Sequence, residues 1–129
     1  MTLSGLDGGF SAHDIGLTSG NIVIDATIST GKLDLVEVSG TESVTIQGGV
    51  DGGLSATEVR GSDGVIIDMS ARAAGSTADI NINTLTSSGA ITVTTGPSSV
   101  SSSAELTLSA VTTRQWIRRL SMKESKNRC

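Results

Sequence analysis

The side chains of this chain that could do chemistry are almost all carboxylates. Thirteen Asp and Glu residues stand beside one histidine, His13, and one cysteine, Cys129. A disulfide framework or a metal site of Cys and His ligands needs more than one of each, so both are excluded. A nucleophilic triad would have to rely on His13 for every proton transfer, which argues against that chemistry. Oxygen chemistry remains: calcium binding, or catalysis by paired carboxylates.

A glycine-rich segment around Asp51 is the calcium candidate. Gly48-Gly49-Val50-Asp51-Gly52-Gly53-Leu54 resembles the calcium-binding nonapeptide of repeats-in-toxin proteins. That motif works in tandem, because a single turn supplies only part of a shell of six to eight oxygens. The later Gly61-Ser62-Asp63-Gly64 does not continue it in register. We therefore predict two glycine-rich turns with no metal and no cofactor, and keep a calcium-stabilised repeat as an alternative.

Paired carboxylates are the catalytic candidate. Four aspartates flank short apolar pairs: Asp25, Asp34, Asp68 and Asp79. Two carboxylates at a suitable separation can hydrolyse a glycosidic bond. A sugar-cleaving site should also offer aromatic platforms and basic partners, yet Phe10 and Trp116 are the only aromatic residues. We predict that the protein is not an enzyme and has no catalytic residues, with a β-helical polysaccharide-active enzyme as the alternative.

Hydroxyl groups and the single histidine give weaker candidates. Several threonines could suggest a flat ice-binding face: Thr27, Thr30, Thr92, Thr94 and Thr95. Such a face needs a Thr-x-Thr pair in every repeat, and most repeats here lack it. His13-Asp14 has no nucleophile placed near it by a motif, so we interpret it as an exposed turn.

The elements that would position these residues are short strands. Apolar-x-apolar pairs begin at positions 22, 33, 44, 54, 65, 80, 91 and 106. The beat is about eleven residues, with two steps that are four residues longer. Alternation with period two and many β-branched residues indicate half-buried strands, and Gly, Ser, Asp and Asn between the pairs indicate turns. No helix is expected before residue 113.

Strands at this spacing fit either a parallel solenoid or an antiparallel β-sandwich. The core would be filled by Ile, Val and Leu, which suits the narrow interior of a solenoid better than the thicker core of a sandwich. We therefore predict an all-β fold, a short parallel β-solenoid (β-helix), with the antiparallel β-sandwich as the alternative. Two beats make one coil of about 22 residues and place Ile22, Val44 and Val65 above one another.

Charge divides the chain into parts. Residues 1–18 are a leader or partial coil and residues 19–113 the β-repeat domain, and residues 1–113 carry a net charge of −9. An acidic body should repel nucleic acid and anionic membranes, so neither is an expected partner. Residues 114–129 carry +5 and form a basic tail. Three interpretations stay open: a short C-terminal amphipathic helix carrying Trp116, Ile117 and Leu120, a plain polar tail, or an artefact of gene prediction. The amino terminus has no signal-peptide pattern and the chain no apolar run long enough for a membrane span.

Two segments carry a likeness to known repeats: Ser19-Gly20-Asn21-Ile22-Val23-Ile24-Asp25 and Ser88-Gly89-Ala90-Ile91-Thr92-Val93-Thr94. They resemble the β-strand repeats of large bacterial surface proteins, namely filamentous-haemagglutinin-like adhesins and surface-layer repeat proteins. The resemblance implies a non-enzymatic structural or adhesive segment of a cell-surface or secreted protein, and hence an extracellular location. Its expected partners are host-cell or surface glycans or the neighbouring repeats of a longer chain. A virus tail-fibre binding module is a further alternative.

Overall fold

Two parallel β-sheets, stacked coil upon coil, make up the fold of this computed structural model. It describes residues 1–4, 8–27, 30–50, 53–72 and 79–94 with their side chains, and the backbone of three later strands within residues 105–126. The chain alternates between the sheets, so each coil has one longer strand and one shorter strand. The result is a β-solenoid of four coils within residues 10–94, whose sheets the later strands continue.

Each sheet has six strands in the part of the chain that the structure describes. Sheet A contains, in spatial order, β1 (Thr2–Leu3), β3 (Ile22–Asp25), β5 (Ser43–Gln47), β7 (Gly64–Asp68), β9 (Ala90–Thr94) and β11 (Gln115–Arg119). Sheet B contains β2 (Phe10–Leu17), β4 (Leu33–Gly40), β6 (Leu54–Gly61), β8 (Ile80–Thr86), β10 (Glu105–Thr112) and β12 (Lys123–Lys126).

The register confirms the coil length expected from the apolar beat. Ile22 pairs with Val44, and Val44 pairs with Val65, so steps of 22 and 21 residues complete one coil. Val65 then pairs with Ile91, a step of 26 residues. The additional residues fall in the segment between β7 and β8, where the sequence shows the first of its two longer steps.

The core consists of columns of aliphatic side chains, one member from each coil. Val44, Val65 and Ile91 are fully buried in sheet A, and Leu54 and Ile80 are fully buried in sheet B. Because parallel strands lie about 4.8 Å apart, each side chain touches its equivalents directly above and below. Such columns remove nearly all of their apolar surface from water without any aromatic residue.

Strands β2, β4, β6 and β8 of sheet B each change phase at a corner. In β4, Leu35 is buried, Val36 and Glu37 both face outward, and Val38 is buried again. Two consecutive outward residues break the period of two, so the strand bends there and directs Val38 into the core. The equivalent residues Ile15, Val59 and Leu85 form a third inward column with Val38, which the apolar pairs did not predict.

The structure confirms the parallel β-solenoid, excludes the alternative fold and contradicts the expected helix in the tail. All ten strand pairings of the described chain are parallel, which excludes the antiparallel β-sandwich. The expected C-terminal helix is absent from the described part of the tail, because residues 115–119 and 123–126 are strands β11 and β12. A free strand edge offers these residues backbone hydrogen bonds that an isolated helix of this length could not match in water.

No helix in the described residues is long and apolar enough to cross a membrane.

Candidate functional surface

The outer face of sheet A carries an uncharged column of β-branched side chains. Its described members are paired from strand to strand in the order Thr2, Val23, Thr45, Ile66 and Thr92. Ile66 is 45% exposed, one of the most exposed large apolar residues of the described chain. We call these five residues the threonine–aliphatic column. Its members repeat at the strand spacing of about 4.8 Å.

A second outward column borders the first at the ends of the same strands. It contains Asp25, Gln47, Asp68 and Thr94. Asp25 Oδ1 accepts hydrogen bonds from the hydroxyl of Thr27 at 2.7 Å and from its backbone N–H at 3.1 Å. These two donors stabilise the charged carboxylate, so they lower the pKa of Asp25 below its usual value.

Asp68 makes the same kind of turn in the third coil. Its Oδ1 accepts a hydrogen bond of 2.9 Å from the backbone N–H of Ser70. Asp25 and Asp68 therefore end their strands with local side-chain-to-backbone bonds typical of aspartate turns. One carboxylate oxygen of each therefore has a local structural role.

The outer face of sheet B carries a short acidic ladder. Asp14, Glu37 and Glu58 pair with one another on successive strands, and Thr84 takes the same position in the fourth coil. Carboxylates directly opposite one another repel, so this ladder costs stability. A single ion pair offsets part of that cost: the Arg60 guanidinium lies 3.3 Å from the Glu58 carboxylate, and both groups are partly exposed.

The four candidate catalytic aspartates do not come together. Asp34 is exposed on sheet B, and Asp79 is exposed just before β8, whereas Asp25 and Asp68 are in sheet A. Asp25 and Asp68 are separated by the strand that carries Gln47, hence by about 10 Å between their backbones. A general acid needs a raised pKa, and that of Asp25 is lowered. The geometry therefore gives the glycosidase hypothesis no support.

The calcium candidate lies partly outside the described residues, since Asp51 and Gly52 are not among them. Asp63 occupies the exposed turn between β6 and β7. Within the described part of the chain, no group of three or more His, Cys, Asp or Glu side chains is close enough to hold a metal ion.

The threonines and the histidine are dispersed. Thr92 and Thr94 are the only Thr-x-Thr pair on the described face of sheet A. The residues in register with them are Thr45 and Gln47 in the second coil, and Val23 and Asp25 in the first. Thr27 bonds to Asp25, Thr30 is exposed, and Thr95 lies outside the described residues. His13 is exposed at the corner of β2 rather than in a turn.

The turns that lead from sheet B to sheet A are joined to one another by side-chain hydrogen bonds. Asn21 Oδ1 accepts hydrogen bonds from the hydroxyl and the backbone N–H of Ser43, at 2.7 and 3.1 Å. From the turn between β4 and β5, the Glu42 carboxylate accepts a hydrogen bond of 3.2 Å from the N–H of Gly20, in the turn between β2 and β3. In the next two coils, a Cβ on Gly89 would collide with the backbone carbonyl of Asp63, so glycine allows the turn before β9 to approach the turn before β7. The Asn21 and Glu42 side chains therefore link the first coil to the second.

Comparison with protein-family models, with curated proteins and with solved structures finds no match to this chain.

Two of these surfaces were missed at the sequence level, namely the threonine–aliphatic column and the acidic ladder. The signal for the first was present, because it consists of the middle residues of the apolar pairs of sheet A. The signal for the second was hidden, because Asp14, Glu37 and Glu58 align only when the corner of each long strand is known.

Proposed function

We propose that this chain is a non-enzymatic structural or adhesive segment of a bacterial cell-surface or secreted repeat protein. The observation that carries the proposal is the register. Outward side chains form straight columns that continue from coil to coil, while the described functional groups bond to nearby backbone instead of converging. An elongated periodic surface is suited to contact with another extended polymer, and poorly suited to enclosing a small substrate.

The threonine–aliphatic column is the best candidate for an adhesive surface. It contains no charged residue, and it combines hydroxyl groups with exposed β-branched carbons such as those of Ile66. Sugars present the complementary mixture of hydroxyl groups and C–H surfaces. Because residues 1–113 have a net charge of −9, the partner should be a neutral surface glycan rather than an anionic one. An extracellular or cell-surface location is part of the proposal.

The test is binding of bead-displayed protein to neutral polysaccharides and to surface glycans of host cells, since many copies compensate for weak single contacts. Thr45→Lys introduces a long cation in the middle of the threonine–aliphatic column and should reduce bead binding at least tenfold. Thr84→Lys makes the same change on the outer face of sheet B and is the matched control, which should bind like the wild type. If wild-type beads bind no glycan, or if Thr84→Lys is the damaging change, the adhesive surface is misassigned.

A further inference from the structure

The outer face of sheet A alternates between two kinds of strand. In the threonine–aliphatic column, a threonine stands on β1, β5 and β9, whereas Val23 stands on β3 and Ile66 on β7. Every second member of the column is therefore of the same kind. Because adjacent strands lie about 4.8 Å apart, a hydroxyl group recurs about every 9.6 Å along the column, and so does an aliphatic side chain.

The bordering column at the ends of these strands has the same period. Asp25 and Asp68 lie on β3 and β7, the strands that carry the aliphatic side chains. Gln47 and Thr94 lie on β5 and β9, the strands that carry threonine. A carboxylate thus accompanies each aliphatic member, and an uncharged polar side chain accompanies the threonine of β5 and of β9. The repeating unit of this surface is therefore two coils, although the repeating unit of the core is one.

We propose that this face binds a β-1,4-linked glycan that lies across the strands, along the threonine–aliphatic column. In such a polymer each sugar is turned over relative to the one before it, so the chain is an extended ribbon that repeats every two sugars. That repeat is about as long as two strand spacings. Sugars of one orientation lie over Val23 and Ile66, and sugars of the other orientation lie over the threonines. The inference rests on the proposed adhesive function and specifies the linkage of the glycan.

The two carboxylates are placed to recognise one edge of the ribbon. Asp25 and Asp68 are on the same side of the column and two strands apart, and one edge of the ribbon presents equivalent hydroxyl groups at every second sugar. Oδ1 of each carboxylate accepts a hydrogen bond from the turn that follows its strand. These turn bonds fix both carboxylates before a ligand arrives, which reduces the entropy that binding would cost.

The charge of the face fits a polymer that carries hydroxyl groups. Among the described side chains on the outer face of sheet A, Asp25 and Asp68 are the only charged ones. Carboxylates accept hydrogen bonds and repel other anions. Sugar hydroxyl groups are therefore complementary to this face, whereas uronic acids and sulfated sugars are not.

A proline-rich peptide is another polymer with a suitable period, since a polyproline II helix has three residues per turn and repeats at about 9.3 Å. The grooves that bind such peptides are lined by aromatic side chains, and the described side chains of sheet A include none. Proline also has no N–H to donate to Asp25 or Asp68. The glycan is therefore the better fit to this face.

The primary test compares two linkages of the same sugar. Bead-displayed wild-type protein is assayed on cellulose, a β-1,4-linked glucan, and on amylose, an α-1,4-linked glucan that coils into a helix. Binding to cellulose should be stronger by about tenfold or more, and a β-1,4-linked tetrasaccharide should inhibit it better than the disaccharide at equal sugar concentration. Equal binding to the two polymers overturns the inference but leaves the adhesive function in place. Inhibition by oligoproline would assign the face to a peptide, and binding to no glycan would remove the adhesive function as well.

The alternation is tested by exchanging two neighbouring members of the column. The double variant Thr45→Ile/Ile66→Thr keeps the composition of the column and adds no charge, but it places two aliphatic side chains side by side. It should bind cellulose about tenfold more weakly, while Ile66→Val should bind like the wild type. Far-ultraviolet circular dichroism checks that the exchanged protein is folded. If it is folded and binds cellulose as well as the wild type, composition rather than period determines binding and the inference is wrong.

A change in the bordering column tests the inference without the exchange. In Asp68→Asn the amide oxygen can still accept the Ser70 N–H, so the turn is retained while the negative charge is lost. Because hydrogen bonds to a charged group are stronger than neutral ones, cellulose binding should fall about fivefold or more. Asp34→Asn makes the same change on the outer face of sheet B and should bind like the wild type. Unchanged binding by Asp68→Asn would show that the carboxylates do not contact the glycan.

Discussion

The coils within residues 10–94 and the strands that follow them share a register but not a side-chain pattern. In the described coils, the column of Ile46, Ile67 and Val93 is aliphatic and fully buried. The next strand continues this backbone ladder and places Arg118 in register with Val93. In sheet B, the last strand places Glu124 in register with Leu106.

This difference distinguishes two contributions to the stability of a solenoid, namely backbone hydrogen bonds and the burial of aliphatic side chains. Backbone hydrogen bonds are available to any sequence that meets an open strand edge. The aliphatic columns depend on residue type, because a charge in such a column must be desolvated. We therefore infer that most of the stability of the stack comes from the coils within residues 10–94, whose aliphatic columns are fully buried.

The largest expected effect comes from a charge in the middle of an aliphatic column. Val65→Asp places a carboxylate where Val44 and Ile91 pack above and below, and Val65 is fully buried. The cost of an unpaired buried charge, several kcal/mol, is comparable to the whole free energy of unfolding of a domain, about 5–15 kcal/mol. Val65→Asp should be unfolded by circular dichroism at 25 °C.

The neighbouring residue supplies the control. Ile66→Asp makes a similar change one position along the same strand, where the side chain faces water. It should remain folded with a modest loss of stability. Equal damage from the two variants would contradict the inward–outward alternation of β7.

The next effect concerns a close contact between consecutive coils. Ala26, Gly48 and Met69 continue the inward columns of sheet A beyond the strands, and a Cβ on Gly48 would collide with the Met69 thioether. Gly48→Ala should lower the free energy of unfolding by about 1–3 kcal/mol through overpacking. Met69→Ala should lower it by about 2–5 kcal/mol through a cavity.

The double variant tests whether the two residues fill one space. With Met69 shortened, the new methyl group at position 48 has room, so the double variant should be more stable than the sum of the single losses predicts. Urea denaturation of the four proteins measures this coupling, expected at about 1 kcal/mol or more. Strict additivity would show that Met69 does not pack beneath Gly48.

Much of the fold could be predicted because pairs of aliphatic residues recur at intervals of about eleven along the sequence. The eleven-residue beat predicted the coil length and the stacking of Ile22, Val44 and Val65, and the register confirms both. The corner in each long strand could not be predicted, because Val36 and Glu37 break the period of two on which that reading depends. The acidic ladder was missed for the same reason.

The tail was misread because short segments fit more than one period. Trp116, Ile117 and Leu120 have the spacing of a helix, yet Trp116 pairs with Ile91 in a strand. The decisive term is the open edge of the preceding coil, and no local pattern within residues 114–129 reports it. The function stays a prediction, because columns of Ser, Thr and Asp specify a surface and not its partner.

A smaller effect distinguishes the tail strands from the inner coils. Arg118→Val restores an aliphatic residue to the column of Ile67 and Val93, so it should raise the melting temperature by a few degrees. Ile117→Val is the control, since Ile117 is in register with Thr92 on the outward column, and it should leave the melting temperature nearly unchanged. A lower melting temperature for Arg118→Val would mean that the basic tail stabilises the stack through its charge.

The smallest effect is a pH dependence at the end of β3. The Thr27 hydroxyl and N–H lower the pKa of Asp25 in the folded protein, so the folded state binds fewer protons there than the unfolded state. The resulting stability is fully present above the unfolded pKa of about 3.8 and is lost as the pH falls through the folded value.

Thr27→Ala removes the larger of the two causes, and an NMR titration of the Asp25 carboxyl carbon should then give a pKa closer to the ordinary one. Thr45→Ala removes a hydroxyl that does not contact Asp25 and should leave that titration unchanged. An identical Asp25 pKa in wild type and Thr27→Ala would show that the hydroxyl bond does not form in solution.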